Sequence, residues 1–184
     1  MMLAPARRCA STLALLPLLL VVDPAQAIEP DSCWRRAYTA EHLDMHPAQS
    51  VAMIEVAFSM FPGEPDTRNA FVRVRFRDGP EVLTNHLFCH RSEAGPGMPD
   101  GLAVGSFSCY VDCDGGAFHA GPPVADMLFL RSTGFIVSGG CGEPQGPDET
   151  VAESRTVLDE GAAETTYRLL RIPTSACVAA DAVP

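Results

Sequence analysis

Two runs of alternating apolar and polar residues lie within residues 52–77, whose sequence is AMIEVAFSMFPGEPDTRNAFVRVRFR. The apolar members of the first run are Ala52, Ile54, Val56, Phe58 and Met60, with Glu55 and Ser59 on the other side. In the second run, Val72, Val74 and Phe76 alternate with Arg73, Arg75 and Arg77. A period of two is typical of strands with one buried face. The connector at 62–66 is rich in proline and glycine, as turns are. These residues therefore predict two strands joined by a turn.

Similar short runs continue along the chain and predict a mainly β protein. The further predicted strands are 82–90, 105–113, 117–120, 127–130, 135–137, 155–158 and 165–172. Turn residues at 114–116, 132–134 and 159–161 predict hairpins between them. A short helix is predicted at 39–47, where Thr39 can cap the first turn and Pro47 ends it. We expect a single-domain antiparallel β-barrel or β-sandwich of about eight to nine short strands, with one short N-terminal helix and disulfide staples.

Residues 1–27 have the pattern of a cleaved signal peptide. Arg7 and Arg8 precede an uncharged, mostly apolar run at 10–22, and Ala25-Gln26-Ala27 offers small residues at the cleavage point. The run is shorter than the roughly 20 residues of a membrane anchor, so we expect no membrane span after cleavage. The remaining chain divides into one β-rich domain, 28–177, and a frayed tail, 178–184. A periplasmic or secreted location is predicted.

Composition narrows the class of partner. The chain of 184 residues has 13 basic and 23 acidic residues, a formal net charge of −10, and every basic residue is arginine. An acidic protein is repelled by phosphate backbones and anionic membranes, so we expect no nucleic-acid partner. The absence of lysine, with abundant alanine, glycine, proline and arginine, is typical of a GC-rich bacterial genome.

Seven cysteines occur, and Cys9 lies inside the predicted signal peptide. The other six are an even number in an exported chain, which indicates disulfides. The favoured pairs are Cys33–Cys177, Cys89–Cys109 and Cys113–Cys141. A zinc site is the rival interpretation, but the Cys109–Cys113 spacing has no second pair of closely spaced cysteines.

Histidines offer two possible sites of chemistry. His42 and His46 are four residues apart on the predicted helix and share a face, a spacing that can hold zinc. The alternative for this pair is a capping or surface role. His119 follows a turn that contains Asp112 and Asp114, and a histidine with a carboxylate can act as a general base. The hydroxyls that it could activate, such as Ser108, lack the Gly-x-Ser-x-Gly turn of many hydrolases.

Two features could bind a ligand. Arg73, Arg75 and Arg77 form a stripe that could hold an acidic group, or could be a solvent face balanced by Glu55 on the neighbouring strand. Trp34 lies beside two arginines and could belong to a binding patch, or could simply pack in the core.

The sequence lacks a phosphate-binding loop and a dinucleotide fingerprint, and we expect no cofactor. The interpretation that we favour is an exported bacterial binding module without catalysis, of the inhibitor or envelope-accessory type, whose partner is an envelope or secreted protein. The first alternative is a metal- or His/Asp-dependent hydrolase. The second is a barrel that holds a small ligand in its interior. The sequence does not specify an oligomeric state.

Overall fold

The structure is a computed structural model that describes residues 28–92, 105–112, 114–138 and 156–177. These residues form nine strands, one α-helix and one 3-10 turn. The strands are β1 (Ser32–Ala37), β2 (Val51–Phe61), β3 (Glu64–Phe76), β4 (Leu83–Arg91), β5 (Phe107–Tyr110), β6 (Gly116–Ala120), β7 (Met127–Ser138), β8 (Thr156–Leu158) and β9 (Thr165–Ile172). The helix α1 (Ala40–Met45) follows β1, and the 3-10 turn covers Thr174–Ala176.

Eight strands close into an antiparallel barrel. Strands β1 to β6 pair in chain order, β6 pairs with β7, β7 with β9, and β9 with β1. The ninth strand, β8, is an extra strand that also pairs with β7. The structure therefore confirms the mainly β prediction and selects the barrel over the sandwich.

Large apolar side chains fill the barrel interior. The bulkiest fully buried aromatic side chains are Trp34, Phe58, Phe107, Phe118 and Phe135. They pack with alternate residues of β2 and β3, such as Ile54, Val56, Val72 and Val74, as the period of two predicted. Each such side chain contributes roughly 1.5–3 kcal/mol on burial.

The hairpin predicted at 132–134 is wrong, because these residues lie within strand β7. The turn expected at 132–134 is absent, because Met127–Ser138 is one continuous strand. Gly134 has a φ of +119°, and the ideal Cβ of an added side chain would lie 3.4 Å from the Leu158 carbonyl oxygen. A small residue at this bend lets β7 continue rather than reverse, which is how glycine acts at strand bulges.

The hairpin expected around 159–161 is also wrong. Strands β8 and β9 do not pair with each other, because both pair with β7. Leu158 lies opposite Phe135 and Thr165 lies opposite Ser132, so β8 and β9 run along the same side of β7. Residues 159–164 lie between β8 and β9 and belong to neither strand, and we call this segment the excursion.

Helix α1 confirms the predicted helix. Thr39 is the N-cap, and its side chain accepts a hydrogen bond from the His42 backbone N–H at 3.2 Å. Leu43 is buried, and the Arg77 guanidinium donates to the Leu43 carbonyl at 3.2 Å. This contact fixes the helix near the end of β3.

Two predicted disulfides are present. Cys33 and Cys177, with Cα atoms 6.1 Å apart, join β1 to the chain just after the 3-10 turn. Cys89 and Cys109 are directly opposite each other on β4 and β5, with Cα atoms 3.9 Å apart. The third predicted pair, Cys113–Cys141, lies outside the described residues, as do the predicted signal peptide at 1–27 and the predicted tail at 178–184. Within the described ranges, no helix is long and apolar enough to span a membrane.

Candidate functional site

A cluster of rings lies on the outer surface of β2 to β5, and we call it the aromatic face. Its members are Phe61, Phe71, His86, Phe88 and Tyr110. Phe71 is opposite His86 across β3 and β4, and their rings stack with centroids 4.7 Å apart. The Phe88 ring packs edge-on against His86, at 4.6 Å, and against Phe61, at 5.9 Å. The rings thus form one connected row across three strands.

The aromatic face is accessible. Tyr110, opposite Phe88 on β5, is 48% exposed, and the other four residues are half-buried. Partly exposed rings that lie side by side suit an interaction surface, because aromatic residues are enriched where proteins bind each other.

His86 lies at the centre of the aromatic face. Its Nε2 is 2.9 Å from the Asn69 side-chain oxygen, which fixes the ring plane. Burial lowers the pKa of His86, and the nearby Asp112 carboxylate raises it by a smaller amount. The ring is therefore mainly neutral near pH 7 and behaves as a third aromatic ring between Phe71 and Phe88.

A buried ion cluster adjoins the disulfide at Cys33. Glu55 is only 1% exposed although it points outward from β2, and it bonds Arg35 on β1 and Arg73 on β3. Arg35 also donates to the Ala176 carbonyl at 2.9 Å, so the C-terminal segment lies over the cluster. The cross-strand balance between Arg73 and Glu55 is as expected, but the site is covered rather than a solvent face.

Two of the three arginines in the stripe form contacts within the fold. Arg73 bonds Glu55 at 3.0 Å, and Arg77 bonds the carbonyls of Leu43 in α1 and of Gln49 after it, so these two arginines already have partners. Arg75 has no charged or hydrogen-bonding partner among the described residues. The structure thus leaves one cation of the stripe for an acidic ligand.

Trp34 lies inside the barrel rather than in a surface patch. It is 1% exposed, and its Nε1 donates to the Ser32 hydroxyl at 3.1 Å. The Arg171 guanidinium covers the ring at 5.4 Å from its centroid. This placement corrects the expectation of a surface role and corresponds to the packing alternative.

His42 and His46 share a helix face as predicted, but they stack ring on ring. Their centroids are 4.2 Å apart, and the planes differ by 20°. His42 Nε2 contacts the Gln49 side-chain oxygen at 3.1 Å, and His46 Nδ1 contacts the His42 carbonyl at 2.8 Å. In the part of the chain that the structure describes, no third metal-ligating side chain joins this pair.

His119 contacts a serine instead of the predicted carboxylates. Its Nδ1 is 3.0 Å from the Ser108 hydroxyl, which is in turn 2.9 Å from the Ser92 hydroxyl. Burial and Arg131 lower the pKa of His119, while Glu164 raises it. Asp112 and Asp114 lie in the β5–β6 turn, and the Asp112 charge acts on His86 rather than on His119.

The aromatic face was not predicted from the sequence, although a signal for it exists there. Phe71 has the same parity as Arg73 and Arg75, so an aromatic residue falls on the predicted polar side of β3. Phe88 likewise alternates with the buried Leu87 and Cys89. The pairing of β3, β4 and β5 was needed to show that these residues meet.

No protein-family model matches the chain, and neither does any curated protein or solved structure.

Proposed function

We propose that this chain is an exported, non-catalytic binding module that binds a partner protein through the aromatic face. The observation that carries the proposal is the connected row of rings from Phe61 to Phe71, extended by the exposed Tyr110. The closed barrel holds these rings in place, so their side chains lose little conformational entropy when a partner binds. Location in the periplasm or outside the cell belongs to the same proposal and is supported by the two disulfides.

The acidic net charge of the chain supports a basic partner. The formal net charge is −10, and the Asp112 carboxylate lies at the aromatic face, close enough to act on His86. Charge complementarity then favours a basic protein that presents an apolar centre with cationic residues around it. Association with such a partner should slow as salt is added.

Photo-crosslinking tests this proposal. A photoreactive residue is placed at Tyr110, or at the half-exposed Phe129 of β7 as a control, in cells that produce the protein. The expected product is a basic protein that crosslinks at position 110 and not at 129. The purified partner is then titrated against wild type, Phe88→Ser and Phe129→Ser at low and high salt.

The expected result is a loss of at least tenfold in affinity for Phe88→Ser, no change for Phe129→Ser, and weaker binding at high salt. Equal crosslinking at both positions, a crosslink only to a second copy of this chain, or unchanged affinity of Phe88→Ser would overturn the proposal. Circular dichroism of each variant separates lost binding from lost folding.

A hydrolase is the second candidate, and the contact between Ser108 and His119 Nδ1 favours it. A neutral histidine that accepts a serine proton can activate that serine as a nucleophile. A fluorophosphonate probe should label wild type and not Ser108→Ala if this activity exists. The absence of labelling in folded wild type would remove the candidate.

The small-ligand barrel is less well supported. Trp34, Phe58, Phe107 and Phe118 occupy the interior, whereas a ligand-holding barrel keeps space between its side chains.

A further inference from the structure

A cavity of about 370 Å³ opens at the end of the barrel where β1 ends and β9 begins. The residues that matter for its chemistry are Tyr38, His46, Glu160, Thr165, Thr166 and Tyr167. Its volume lies within the range of about 300–1,000 Å³ that ligand pockets show. It is separate from the aromatic face, with which it shares no residue.

The excursion at 159–164 builds one wall of the cavity. It carries Glu160, whose carboxylate accepts hydrogen bonds from the Ser50 N–H at 2.7 Å and the Val51 N–H at 3.1 Å. The Ser50 hydroxyl, at 3.1 Å, and the Tyr167 hydroxyl, at 3.3 Å, also donate to it. Four donors satisfy this carboxylate, so it acts as a fixed part of the wall.

The rings of Tyr38 and His46 line a second wall, with His42 stacked between them. Tyr38 stacks on His42 at 4.8 Å, and His42 stacks on His46 at 4.2 Å. The Arg36 guanidinium lies over the Tyr38 ring at 5.1 Å. Arginine is absent from the described residues that line the cavity, and the lining carboxylate of Glu160 already accepts four hydrogen bonds, which together favour an uncharged ligand over an ion of either sign.

The cavity also presents hydroxyl donors. Within the described ranges, the Tyr38 proton has no acceptor, and the hydroxyls of Thr165 and Thr166 have no protein partner. Burial raises the pKa of Tyr38, the charge and hydrogen bond of Arg36 lower it by less, and Glu160 adds a smaller rise, so the pKa stays above its ordinary value and the phenol keeps its proton. A half-buried donor without an acceptor is satisfied by water or by a ligand oxygen.

We propose that this cavity binds a small uncharged ring compound that carries an acceptor oxygen. The ring packs against the aromatic walls, and its oxygen accepts the Tyr38 hydroxyl, with Thr165 or Thr166 as a second contact. Neutral sugars and neutral aromatic ketones share this chemistry. The proposal is independent of partner binding at the aromatic face.

Nuclear magnetic resonance titration of the folded chain tests this site. The neutral probes are methyl glucoside and acetophenone, and the charged probes are benzoate and benzamidine. We expect one neutral probe to shift the backbone amide signals of Thr165, Thr166 and Tyr167, whereas the charged probes bind at least tenfold more weakly. The neutral probe that binds identifies which of the two sources supplies the ligand.

Tyr38→Phe removes one hydroxyl and keeps the ring, so it should weaken the neutral probe by about 3- to 10-fold. Tyr110→Phe removes a hydroxyl on the aromatic face and should change nothing at the cavity. The proposal is overturned if neither neutral probe shifts these signals at millimolar concentration, if a charged probe binds more tightly, or if Tyr38→Phe binds like wild type.

Discussion

At the scale of single residues, local sequence predicts the direction of the Glu55 side chain but not its burial. Its parity on β2 correctly predicts an outward side chain. Its burial depends on the C-terminal segment, which is fastened by the Cys33–Cys177 bond and lies over the ion cluster. No local pattern records a contact between residues so far apart in sequence.

Glu55→Gln should therefore destabilise the fold. The change leaves Arg35 and Arg73 without their shared carboxylate in a largely buried place. Breaking a fully buried pair costs about 3–5 kcal/mol, and these arginines are partly exposed, so we expect a loss of about 2 kcal/mol in the free energy of unfolding. Urea denaturation measures it.

Asp44→Asn is the matched control, since it neutralises an exposed carboxylate 3.9 Å from Arg77. Exposed pairs contribute about 0–1 kcal/mol. Equal effects of the two variants would contradict the structural role given to Glu55.

His86 predicts a dependence of stability on pH. Its folded pKa is lowered from an ordinary value of 6.5. Below about pH 6.5 the unfolded chain then binds more protons than the folded chain, so the free energy of unfolding falls as pH is lowered from 7 towards 5. His119, whose pKa is also lowered, acts in the same direction.

His86→Gln should reduce this slope without abolishing it, as measured by urea denaturation at several pH values. His90→Gln lies on the same strand, is exposed, and keeps His86, so it should retain the slope. A slope that is unchanged in His86→Gln would show that burial of this ring has no energetic effect on folding.

At the scale of strands, the alternation of apolar and polar residues predicted β2 and β3 but not β1. Cys33 and Trp34 are consecutive and both buried, because one faces the barrel interior and the other is covered by the disulfide-linked segment. A strand buried on both faces shows no period of two. The hairpins expected at 132–134 and 159–161 were wrong because turn-forming residues also suit a bent strand and an excursion.

The site could be predicted only in part for the same reason. The parity of Phe71 and Phe88 is visible in the sequence, but their meeting needs the register between β3 and β4. The cavity at Tyr38 needs the end of β1 beside residues 159–164 and the start of β9, which are far from β1 along the chain.

Gly116 lies where β6 packs closely against β7, so a substitution there tests this packing. Its φ is +84°, and an ideal Cβ would lie 2.4 Å from the Gly134 carbonyl oxygen, which is backbone and cannot move aside cheaply. Gly116→Ala should therefore cost about 3 kcal/mol or more, from strain and overlap together. Thermal and urea unfolding measure this cost.

Two other glycines separate these causes. Gly63 has a similar φ of +83° but open space around it, so Gly63→Ala should cost about 1–2 kcal/mol from strain alone. Gly79 has open space and no positive φ, and Gly79→Ala should be nearly neutral. If Gly116→Ala costs no more than Gly63→Ala, the close approach to β7 is not tight.

At the scale of the whole molecule, the barrel closes between its first and last strands. Strand β1 pairs with β9 over Cys33 to Arg35, and the Cys33–Cys177 bond spans 144 residues of sequence across this seam. A loop of that length gives a disulfide an entropic contribution of about 5 kcal/mol in the chain-entropy model.

The two disulfides should open in a fixed order under a thiol reductant in native buffer. Cys177 is half-buried at the surface, whereas Cys89 and Cys109 are fully buried in the barrel. Access limits thiol exchange, so Cys33–Cys177 should be reduced first. Timed alkylation followed by peptide mass mapping shows the order, and earlier labelling of Cys89 or Cys109 would contradict it.

The seam between β1 and β9 also constrains how the chain is made. Strand β1 is synthesised well before its partner β9, because six other barrel strands lie between them along the chain. Cys89 and Cys109 are therefore synthesised after Cys33 and before its partner Cys177. Oxidation in order of emergence would join Cys33 to Cys89, so native pairing requires either delayed oxidation or a catalyst that reshuffles disulfides.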